Sequence, residues 1–421
     1  TGITDQTVDI SSANNVTVAM ADASGGSDAL TINLTSPTAD AGFSQTINQI
    51  SVSDVETLTI NTSGLTASTS DYIVTTLTDG GTTALTTLNI TGSSSLDLSG
   101  TVTATDLTTV NASTFTGDLI LDGVGEIQTI TGGTGGDLFI MGTTLNNLDS
   151  LDGGDGTDTL TATVTGATAT TGALSISAVE AINLTNAGTA TVDASGITGA
   201  SEVAFAGAAT STTITNLAAG TAVGLGFNNT DGTMAGIVSI ALADATGDSD
   251  ALTVNLNDTS DAATSTVDLR ASGVETVTLD FTDATDTGVG NYALDVDALN
   301  ATSIVISGAE ADAGVTLSLN GGTTMDTETS SVTATAFNGV LTASAATTTA
   351  TTFNVAGDRA HVLTGSGLND TFTVGATTGA DLTINGGAGT GDALNLTFGE
   401  GAQTLENVSN VDPQNIARRR A

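Results

Sequence analysis

A glycine- and aspartate-rich stretch at residues 153–161 has the composition of a binding site for a hard metal ion. It reads GGDGTDTLT and fits the repeat pattern G-G-x-G-x-D-x-U-x at every specified position, where U is a large apolar residue. The glycines let the backbone adopt left-handed dihedral angles and turn its carbonyl groups inward. Asp158 adds an anionic oxygen, and Ca²⁺ is bound by oxygen ligands. The stretch therefore predicts a calcium-binding turn that leads into a short strand.

A second match to this pattern lies upstream, at residues 132–140, which read GGTGGDLFI. The aspartates of the two matches, Asp137 and Asp158, are 21 residues apart. This spacing is about one coil of a β-solenoid, so we expect the two turns to stack on adjacent coils, where they could share an ion. The alternative is a pair of glycine-rich turns that hold no metal.

A looser pair of matches occurs near the end of the chain. Residues 365–372 read GSGLNDTF, in which Leu368 replaces a glycine, and residues 386–394 read GGAGTGDAL, with one residue inserted before Asp392. Asp370 and Asp392 are 22 residues apart, again one coil. The candidate metal ligands of the four turns are Gly132, Gly133, Gly135, Asp137, Gly153, Gly154, Asp155, Gly156, Asp158, Asp370, Gly386, Gly387, Gly389 and Asp392.

Internal repetition is the strongest organisational signal in the chain. Residues 16–34 recur without a gap at 238–256, each time as an apolar segment, a Gly/Asp/Ser turn and a second apolar segment. We interpret each copy as a β-hairpin. The turns carry further candidate metal ligands, namely Asp22 and Asp28 in the first copy and Asp244 and Asp250 in the second.

A second repeated signature begins with a valine and a glutamate. It reads VETLTI at residues 55–60, VEAINL at 179–184 and VETVTL at 274–279, with a weaker copy at 405–408. Each copy follows an Asp-x-Leu sequence, and these sequences begin at Asp28, Asp158, Asp250 and Asp392. We predict a module at 1–157 that ends in the first turn pair, a shorter irregular module at 158–249, a second full module at 250–391 and the truncated start of another at 392–421.

Short apolar segments separated by turns predict the fold class. Two short strands and two turns recur about every 20 to 22 residues, as in a parallel β-solenoid. Hydrophobic residues make up 39% of the chain but aromatic residues only 3%, which favours a thin, elongated core. We therefore predict an all-β protein built from elongated parallel β-solenoid modules with Gly/Asp-rich calcium-binding turns. Asn89 and Asn111 occupy equivalent places in successive coils, which predicts a ladder of asparagines inside the solenoid.

The charge balance restricts the partners of the chain. Asp and Glu number 46 against five Arg and Lys, and the net charge is −41. This charge disfavours binding to nucleic acid and to anionic lipid and favours multivalent cations. Cysteine is absent from the sequence, so disulfides and thiolate metal sites are excluded. No run of about 18 apolar residues occurs, and we predict no membrane insertion.

Residues suited to catalysis are scarce. His361 is the one histidine of the sequence, and the zinc-protease motif H-E-x-x-H is absent. We interpret the segment Gly357–His361 as a turn with a local pair between Asp358 and Arg359. A polysaccharide lyase needs a basic residue, but Arg270 and Arg359 lie far apart in the sequence. Paired acids for glycoside hydrolysis remain open, although we predict that the chain is not an enzyme.

The repeated SDALTxNL and VETLTI signatures, together with isolated nonapeptides, resemble a known family. They are similar to type I-secreted bacterial surface-layer proteins of the Caulobacter kind, which carry RTX calcium-binding repeats. The resemblance covers nearly the whole chain. It implies a β-rich solenoid on the cell surface, outside the cell, whose copies tile into a two-dimensional lattice in the presence of Ca²⁺. RTX repeats usually occur in tandem, whereas here the nonapeptides come in isolated pairs.

These observations lead to three hypotheses about function. The first is a self-assembling S-layer subunit that is folded and cross-bridged by calcium, with copies of itself as partners and cell-surface polysaccharide as a second candidate partner. The second is a calcium-dependent secreted adhesin or a segment of a biofilm matrix. The third is an extracellular carbohydrate-active enzyme.

Overall fold

The structure is a computed structural model of the chain, and it describes most of the residues. The described residues are 6–10, 15–19, 26–36, 44–65, 71–81, 84–122, 128–164, 172–206, 211–226, 235–257, 264–281, 291–296, 301–308, 316–319, 327–357, 359–377, 382–398 and 407–420. They belong to two compact units, the first comprising Thr1–Thr185 and Gly196–Ser201 and the second Asn186–Ser195 and Glu202–Ala421. The boundaries of the four predicted modules stay predictions.

The first unit contains three parallel sheets. Sheet A consists of β1 (Gln6–Ile10), β3 (Ala29–Thr35), β6 (Thr57–Ser63), β9 (Thr87–Gly92), β12 (Thr109–Phe115), β14 (Thr129–Thr131), β16 (Ser150–Asp152), β18 (Ser175–Ser177) and β21 (Ile197–Thr198). Sheet B consists of β2 (Asn15–Ala19), β5 (Gln49–Ser53), β8 (Thr76–Asp79) and β11 (Thr101–Val102). Sheet C consists of β4 (Gln45–Ile47), β7 (Tyr72–Val74), β10 (Leu96–Leu98), β13 (Leu119–Asp122), β15 (Leu138–Gly142), β17 (Thr159–Val164) and β19 (Ala181–Asn186).

The second unit contains two parallel sheets. Sheet C′ consists of β22 (Glu202–Ala206), β24 (Ala222–Gly226), β26 (Ala251–Asn257), β28 (Thr276–Phe281), β30 (Ser303–Gly308), β32 (Ser331–Ala334), β34 (Thr352–Val355), β36 (Thr371–Thr377), β38 (Ala393–Phe398) and β40 (Ile416–Arg420). Sheet D consists of β20 (Thr189–Asp193), β23 (Ser211–Leu217), β25 (Ala235–Leu242), β27 (Thr264–Ser272), β29 (Asn291–Asp295), β31 (Thr316–Ser318), β33 (Val340–Ser344), β35 (Val362–Thr364), β37 (Thr383–Asn385) and β39 (Asn407–Ser409).

Alternation of side chains explains why these segments form strands. In β6, every second residue is buried, so Leu58, Ile60 and Thr62 point inward, while Thr57, Thr59, Asn61 and Ser63 lie on the half-exposed face. Because the strands are parallel and in register, inward-facing apolar residues stack on one another along successive coils. In sheet A the buried column runs Leu30, Leu58, Leu88, Val110, Ile130, Leu151, Ile176 and Ile197. The predicted all-β parallel solenoid is confirmed.

The predicted hairpins are wrong. β2 and β3 lie in sheets B and A, and β25 and β26 lie in sheets D and C′. The registered strand pairs among the described residues are parallel, so each strand pairs with its equivalent one coil later. A strand–turn–strand pattern fits a hairpin and a solenoid corner equally well, because both place two short strands around a tight turn.

Coil length varies more than the sequence pattern indicates. Register partners are 19 residues apart at Thr351 and Asp370 but 30 apart at Asn61 and Thr91. The longer early coils of the first unit pass through sheets A, C and B in turn, and they therefore have three strands rather than the two predicted. Insertions at the corners are tolerated because they leave the stacked core unchanged.

An asparagine ladder exists, but its position differs from the prediction. Asn89 and Asn111 are register partners, as expected. The side-chain hydrogen bonds join Asn33 to Asp9, Asn61 to Asn33 (3.0 Å) and Thr91 to Asn61. Asn33 and Asn61 are half-buried, because they alternate with inward-facing apolar residues and so point away from the core.

Helical structure is limited to two short 3-10 turns, Ala194–Gly196 and Pro413–Asn415, in the part of the chain that the structure describes. None of the helices there has the length and apolarity needed to cross a bilayer.

Core stacking in the second unit gives a direct test of the register. Phe353 and Phe372 are fully buried register partners on β34 and β36, and their rings stack with centroids 5.3 Å apart. We expect Phe353→Ala to lower the free energy of unfolding by about 3–5 kcal/mol, because it leaves a cavity beside Phe372. Urea denaturation measures this change. Thr352→Ala, at the exposed neighbour on the same strand, should cost less than about 0.5 kcal/mol, and equal effects would contradict the assigned faces.

Candidate metal centre

The first pair of glycine-rich turns lies at a corner of the first unit. Gly132 follows β14 and Gly153 follows β16, and each turn leads into the next strand of sheet C. The N–H of Gly132 donates to the carbonyl of Asp152 (2.7 Å), and that of Gly153 donates to Ser177 (2.9 Å). The two turns therefore stack on adjacent coils, which confirms the register predicted from their spacing.

The second pair has the same arrangement in the second unit. Gly365 follows β35 and Gly386 follows β37. Their N–H groups donate to the carbonyls of Asn385 (2.7 Å) and Ser409 (2.9 Å) on the following coils. The looser sequence match therefore forms the same stacked corner as the strict one. Leu368, which replaces a glycine of the pattern, is 47% exposed and stays outside the corner.

The first glycine of each turn is required by close approach. A Cβ atom at Gly132 would stand 2.0 Å from the Gly153 carbonyl oxygen and 2.7 Å from Asp137 Oδ2. A Cβ atom at Gly153 would stand 1.9 Å from the Ala178 carbonyl oxygen and 2.6 Å from Asp158 Oδ2. Each turn thus brings a carboxylate oxygen and a carbonyl oxygen of the next coil to the same place, beside the glycine.

The aspartates of the turns belong to a wider set of contacts that we call clasps. In a clasp, a side chain just before a strand accepts the backbone N–H of its register partner on the preceding coil. Asp158 Oδ1, for example, accepts the N–H of Asp137 at 2.7 Å. The clasp acceptors among the described residues are Glu56, Asp137, Asp149, Asp158, Glu180, Glu275, His361, Asp370 and Asp392.

The clasp explains the glutamate of the second repeated signature. Glu56, Glu180 and Glu275 accept the N–H groups of Asp28, Asp158 and Asp250 at 2.6 to 2.7 Å. Sequence reasoning missed this role, although each glutamate lies one coil after its aspartate and that spacing was available. In the weaker copy at 405–408, the glutamate lies outside the described residues.

The first aspartate of each pair uses both of its oxygens. Asp137 accepts N–H groups from Leu119 (2.9 Å) and Gly133 (2.8 Å). Asp370 accepts N–H groups from Thr351 and Ser366, each at 2.6 Å. Both aspartates are buried, so they act as links between backbone segments.

The second aspartate of each pair keeps one oxygen without a hydrogen bond. Asp158 and Asp392 are fully buried and clasp the preceding coil through Oδ1, while Oδ2 of each has no hydrogen-bond partner. The second glycine of their turns explains the difference. Gly154 and Gly387 have positive φ angles of 94° and 91°. They donate their N–H groups outward, to Asp152 Oδ1 and Asn385 Oδ1.

Like charges meet in the column formed by Asp137, Asp158 and Glu180. Burial raises the pKa of Asp137 above its ordinary value. Burial, with repulsion from Asp137 and Glu180, raises the pKa of Asp158 to about 6, against the lowering effect of the Asp137 N–H. Arg270 and Asp268 form an ion pair in the second unit. Asp158 therefore keeps a proton up to about pH 6, and above that pH its buried charge favours an added cation.

These turns fit a calcium ion only if backbone oxygens contribute. No group of three or more His, Cys, Asp or Glu side chains in the described ranges is placed to hold a metal ion. The buried Oδ2 atoms of Asp158 and Asp392 lack hydrogen bonds, and carbonyl oxygens of Ala178 and Asn410 approach them beside Gly153 and Gly386. These are the oxygen types that a hard cation accepts, and at each turn they supply two of the six to eight ligands that Ca²⁺ takes.

The other predicted ligands have different surroundings. Asp155 is exposed on its turn. Gly156 and Gly389 stack on the carbonyls of Gly135 and Leu368, at distances that exclude a Cβ atom.

The predicted ligands in the repeats at 16–34 and 238–256 have different surroundings. Asp28 is buried at the start of β3, while Asp250 is half-buried and accepts the N–H of Gly247 (3.0 Å). Asp244 is exposed and accepts hydrogen bonds from the Thr246 hydroxyl and N–H, which lower its pKa. Asp22 lies outside the described residues.

His361 has a structural role that the sequence did not indicate. It is fully buried, and its Nδ1 accepts the N–H of Leu341 at 3.0 Å. The proton of the neutral ring is therefore on Nε2. The predicted partner of Arg359, Asp358, lies outside the described residues, and Arg359 Nε donates to the carbonyl of Asn338.

A shallow groove lies on sheet D, away from the turns. It has a volume of about 240 Å³, and the side chains that line it include Thr213, Ser239, Arg270 and Ser272. Arg270 is held in the plane of Asp268 by hydrogen bonds from Nε and from a terminal nitrogen.

Replacement of a clasp glutamate tests its contribution to stability. In Glu275→Leu, the Asp250 N–H loses its acceptor, and we expect a loss of about 1–3 kcal/mol in urea denaturation. In Glu275→Gln, the amide oxygen can still accept this N–H, so most of the stability should return. If Gln and Leu destabilise equally, the hydrogen bond is not the source of the effect.

Acidification tests the buried charge at Asp158. A carboxyl group whose pKa is higher in the folded state than in the unfolded state contributes most to the free energy of unfolding when it is protonated. Its contribution is complete below the ordinary value of 3.8 and is lost as the pH rises through about 6. In the presence of EGTA, we expect the melting temperature to be higher at about pH 5 than at about pH 7.5. Asp158→Asn should reduce this difference, and an unchanged difference would assign it to other groups.

Comparisons with known proteins returned no match to a protein-family model, to a curated protein or to a solved structure. The assignment of a role to this chain therefore rests on its own residues and their geometry.

Proposed function

We propose that the chain is a structural, self-assembling subunit of a calcium-stabilised layer on the cell surface. The observation that carries this proposal is the stacking of buried carboxylates on successive coils in a chain of net charge −41. Asp158 and Asp392 each keep a buried oxygen without a hydrogen bond. A divalent cation at these positions offsets the repulsion and uses the free oxygens.

Cation binding would stabilise the folded chain by mass action. The oxygens that converge beside Gly153 and Gly386 come from coils that are adjacent only after folding. An ion that binds the folded state and not the unfolded state adds stability that grows with the logarithm of its concentration. Calcium is abundant outside cells, and it supplies the charge compensation that five arginines cannot.

The same cations would control association between copies. Two chains of this charge repel each other at low ionic strength, and this repulsion falls when divalent cations bind the acidic surface. The outward faces of the strands carry Thr, Ser, Asn and Asp side chains, which offer oxygens to ions shared between neighbours. We therefore propose copies of the chain as the main partners and cell-surface polysaccharide as the anchoring partner. The proposal includes neither nucleic-acid binding nor membrane insertion.

A calcium-dependent adhesin or matrix segment is the second candidate. The groove beside Arg270 favours it, because Thr213, Ser239 and Ser272 offer hydroxyl groups next to an oriented guanidinium. Such a surface suits hydrogen bonding to a sugar. We propose no catalytic role for this groove, since the guanidinium is already paired with Asp268.

Electron microscopy of the purified chain tests the proposal. With millimolar Ca²⁺ we expect ordered sheets, and with EGTA we expect dispersed particles, because the uncompensated charge drives copies apart. Mg²⁺ at equal concentration is the control for simple screening, since it prefers a smaller octahedral set of ligands. Dispersed particles under all conditions, together with binding to polysaccharide, would support the adhesin instead.

A further inference from the structure

The geometry points to a division of labour between the two aspartates of each turn pair. We infer that Asp158 and Asp392 contact the cation, together with the carbonyl oxygens of Ala178 and Asn410, whereas Asp137 and Asp370 serve only as clasps. The inference rests on the proposed calcium role and assigns it to particular atoms. The local sequence motif treats the two aspartates of a pair alike.

The first step of the argument is the use of each carboxylate oxygen. Asp137 and Asp370 each receive two backbone N–H groups, one per oxygen. Asp158 and Asp392 each receive one, on Oδ1. Their Oδ2 atoms are buried and have no hydrogen bond, and leaving a charged acceptor in this state is costly. Binding of a cation is therefore most favourable at the second turn of each pair.

The second step is that a carbonyl oxygen lies near each carboxylate oxygen that has no hydrogen bond. The Ala178 carbonyl and Asp158 Oδ2 lie 1.9 and 2.6 Å from the place where a Cβ of residue 153 would stand. The Asn410 carbonyl and Asp392 Oδ2 lie 2.1 and 2.8 Å from the corresponding place at Gly386. The first turns have a similar approach, but there Oδ2 is already engaged by an N–H group.

The third step concerns the coil that follows each second turn. Ala178 and Asn410 adopt left-handed backbone angles, with φ of 49° and 55°. This conformation is unfavourable for a residue with a Cβ atom, and more so for alanine than for asparagine. The non-glycine residues with positive φ in the described ranges are Asp54, Ala178, Asn216 and Asn410. In both coils a non-glycine residue therefore adopts the left-handed conformation, and its carbonyl oxygen lies beside the first glycine of the second turn.

The same arrangement occurs independently in the two units. The first contains Gly153, Asp158 and Ala178, and the second contains Gly386, Asp392 and Asn410. The surrounding sequences differ, since the second pair departs from the strict nonapeptide at Ser366 and Leu368. Two sequences that reach one geometry support a shared role. We therefore expect one cation per turn pair, at its second turn, rather than one at every aspartate.

Matched Asp→Asn variants distinguish the two roles because they predict opposite signs. In EGTA, Asp158→Asn should raise the melting temperature by a few degrees, because it removes an uncompensated charge and its amide can donate to the Ala178 carbonyl. Asp137→Asn should lower it, because an amide nitrogen cannot accept an N–H group. In Ca²⁺, Asp158→Asn should lose the calcium-induced rise at its site, and Asp137→Asn should keep it. Asp392→Asn and Asp370→Asn repeat the comparison in the second unit.

Direct counting of bound Ca²⁺ by equilibrium dialysis completes the test. We expect Asp158→Asn and Asp392→Asn each to bind one ion fewer than the unmodified chain, and Asp137→Asn, Asp370→Asn and the exposed control Asp155→Asn to bind the same number. Equal loss from both members of a pair, or no loss from the second member, would overturn the inference. If the numbers of bound ions agree with the expectation but no sheets form in Ca²⁺, the proposed lattice is contradicted, whereas the different roles of the two aspartates are supported.

Discussion

The backbone N–H that precedes a strand is the constraint on which the clasped coils of this solenoid depend. At a corner, the ladder between coils is interrupted, and a buried N–H without an acceptor costs about 1–3 kcal/mol. The chain meets this requirement with clasps, in which an Asp, Glu or His just before a strand accepts the N–H of its register partner. The clasp also sets the register, because it joins one defined residue on each coil to one on the next.

Carboxylate clasps create a second requirement. They are strong acceptors for N–H groups, but parallel register stacks them, so Asp137, Asp158 and Glu180 lie on three successive coils. Few positive side chains are available to offset this column in a chain of net charge −41. The carboxylates that satisfy the backbone N–H groups thus also repel one another. In our proposal, bound external cations offset this repulsion. Folding and assembly would then respond to the same ion.

Much of this architecture was predictable because it is periodic. The separation of Asp137 and Asp158 predicted their stacking, and the short apolar segments between turns predicted the parallel solenoid. The hairpin prediction failed because local sequence does not record which distant strand supplies the hydrogen bonds. The asparagine ladder was placed inside the solenoid, but Asn33 and Asn61 alternate with buried apolar residues and face outward. The role of Glu56, Glu180 and Glu275 was missed because it involves a partner a full coil away.

The sequence by itself determined the parallel solenoid class and the stacking of both turn pairs. These properties follow from repetition and spacing, which can be read along the chain. The tertiary structure alone decided which carboxylate oxygens are occupied. Asp137 and Asp158 share one motif, yet Gly133 donates inward to Asp137 while Gly154 donates outward to Asp152. The difference depends on backbone angles and on the neighbouring coils, which no nine-residue pattern contains.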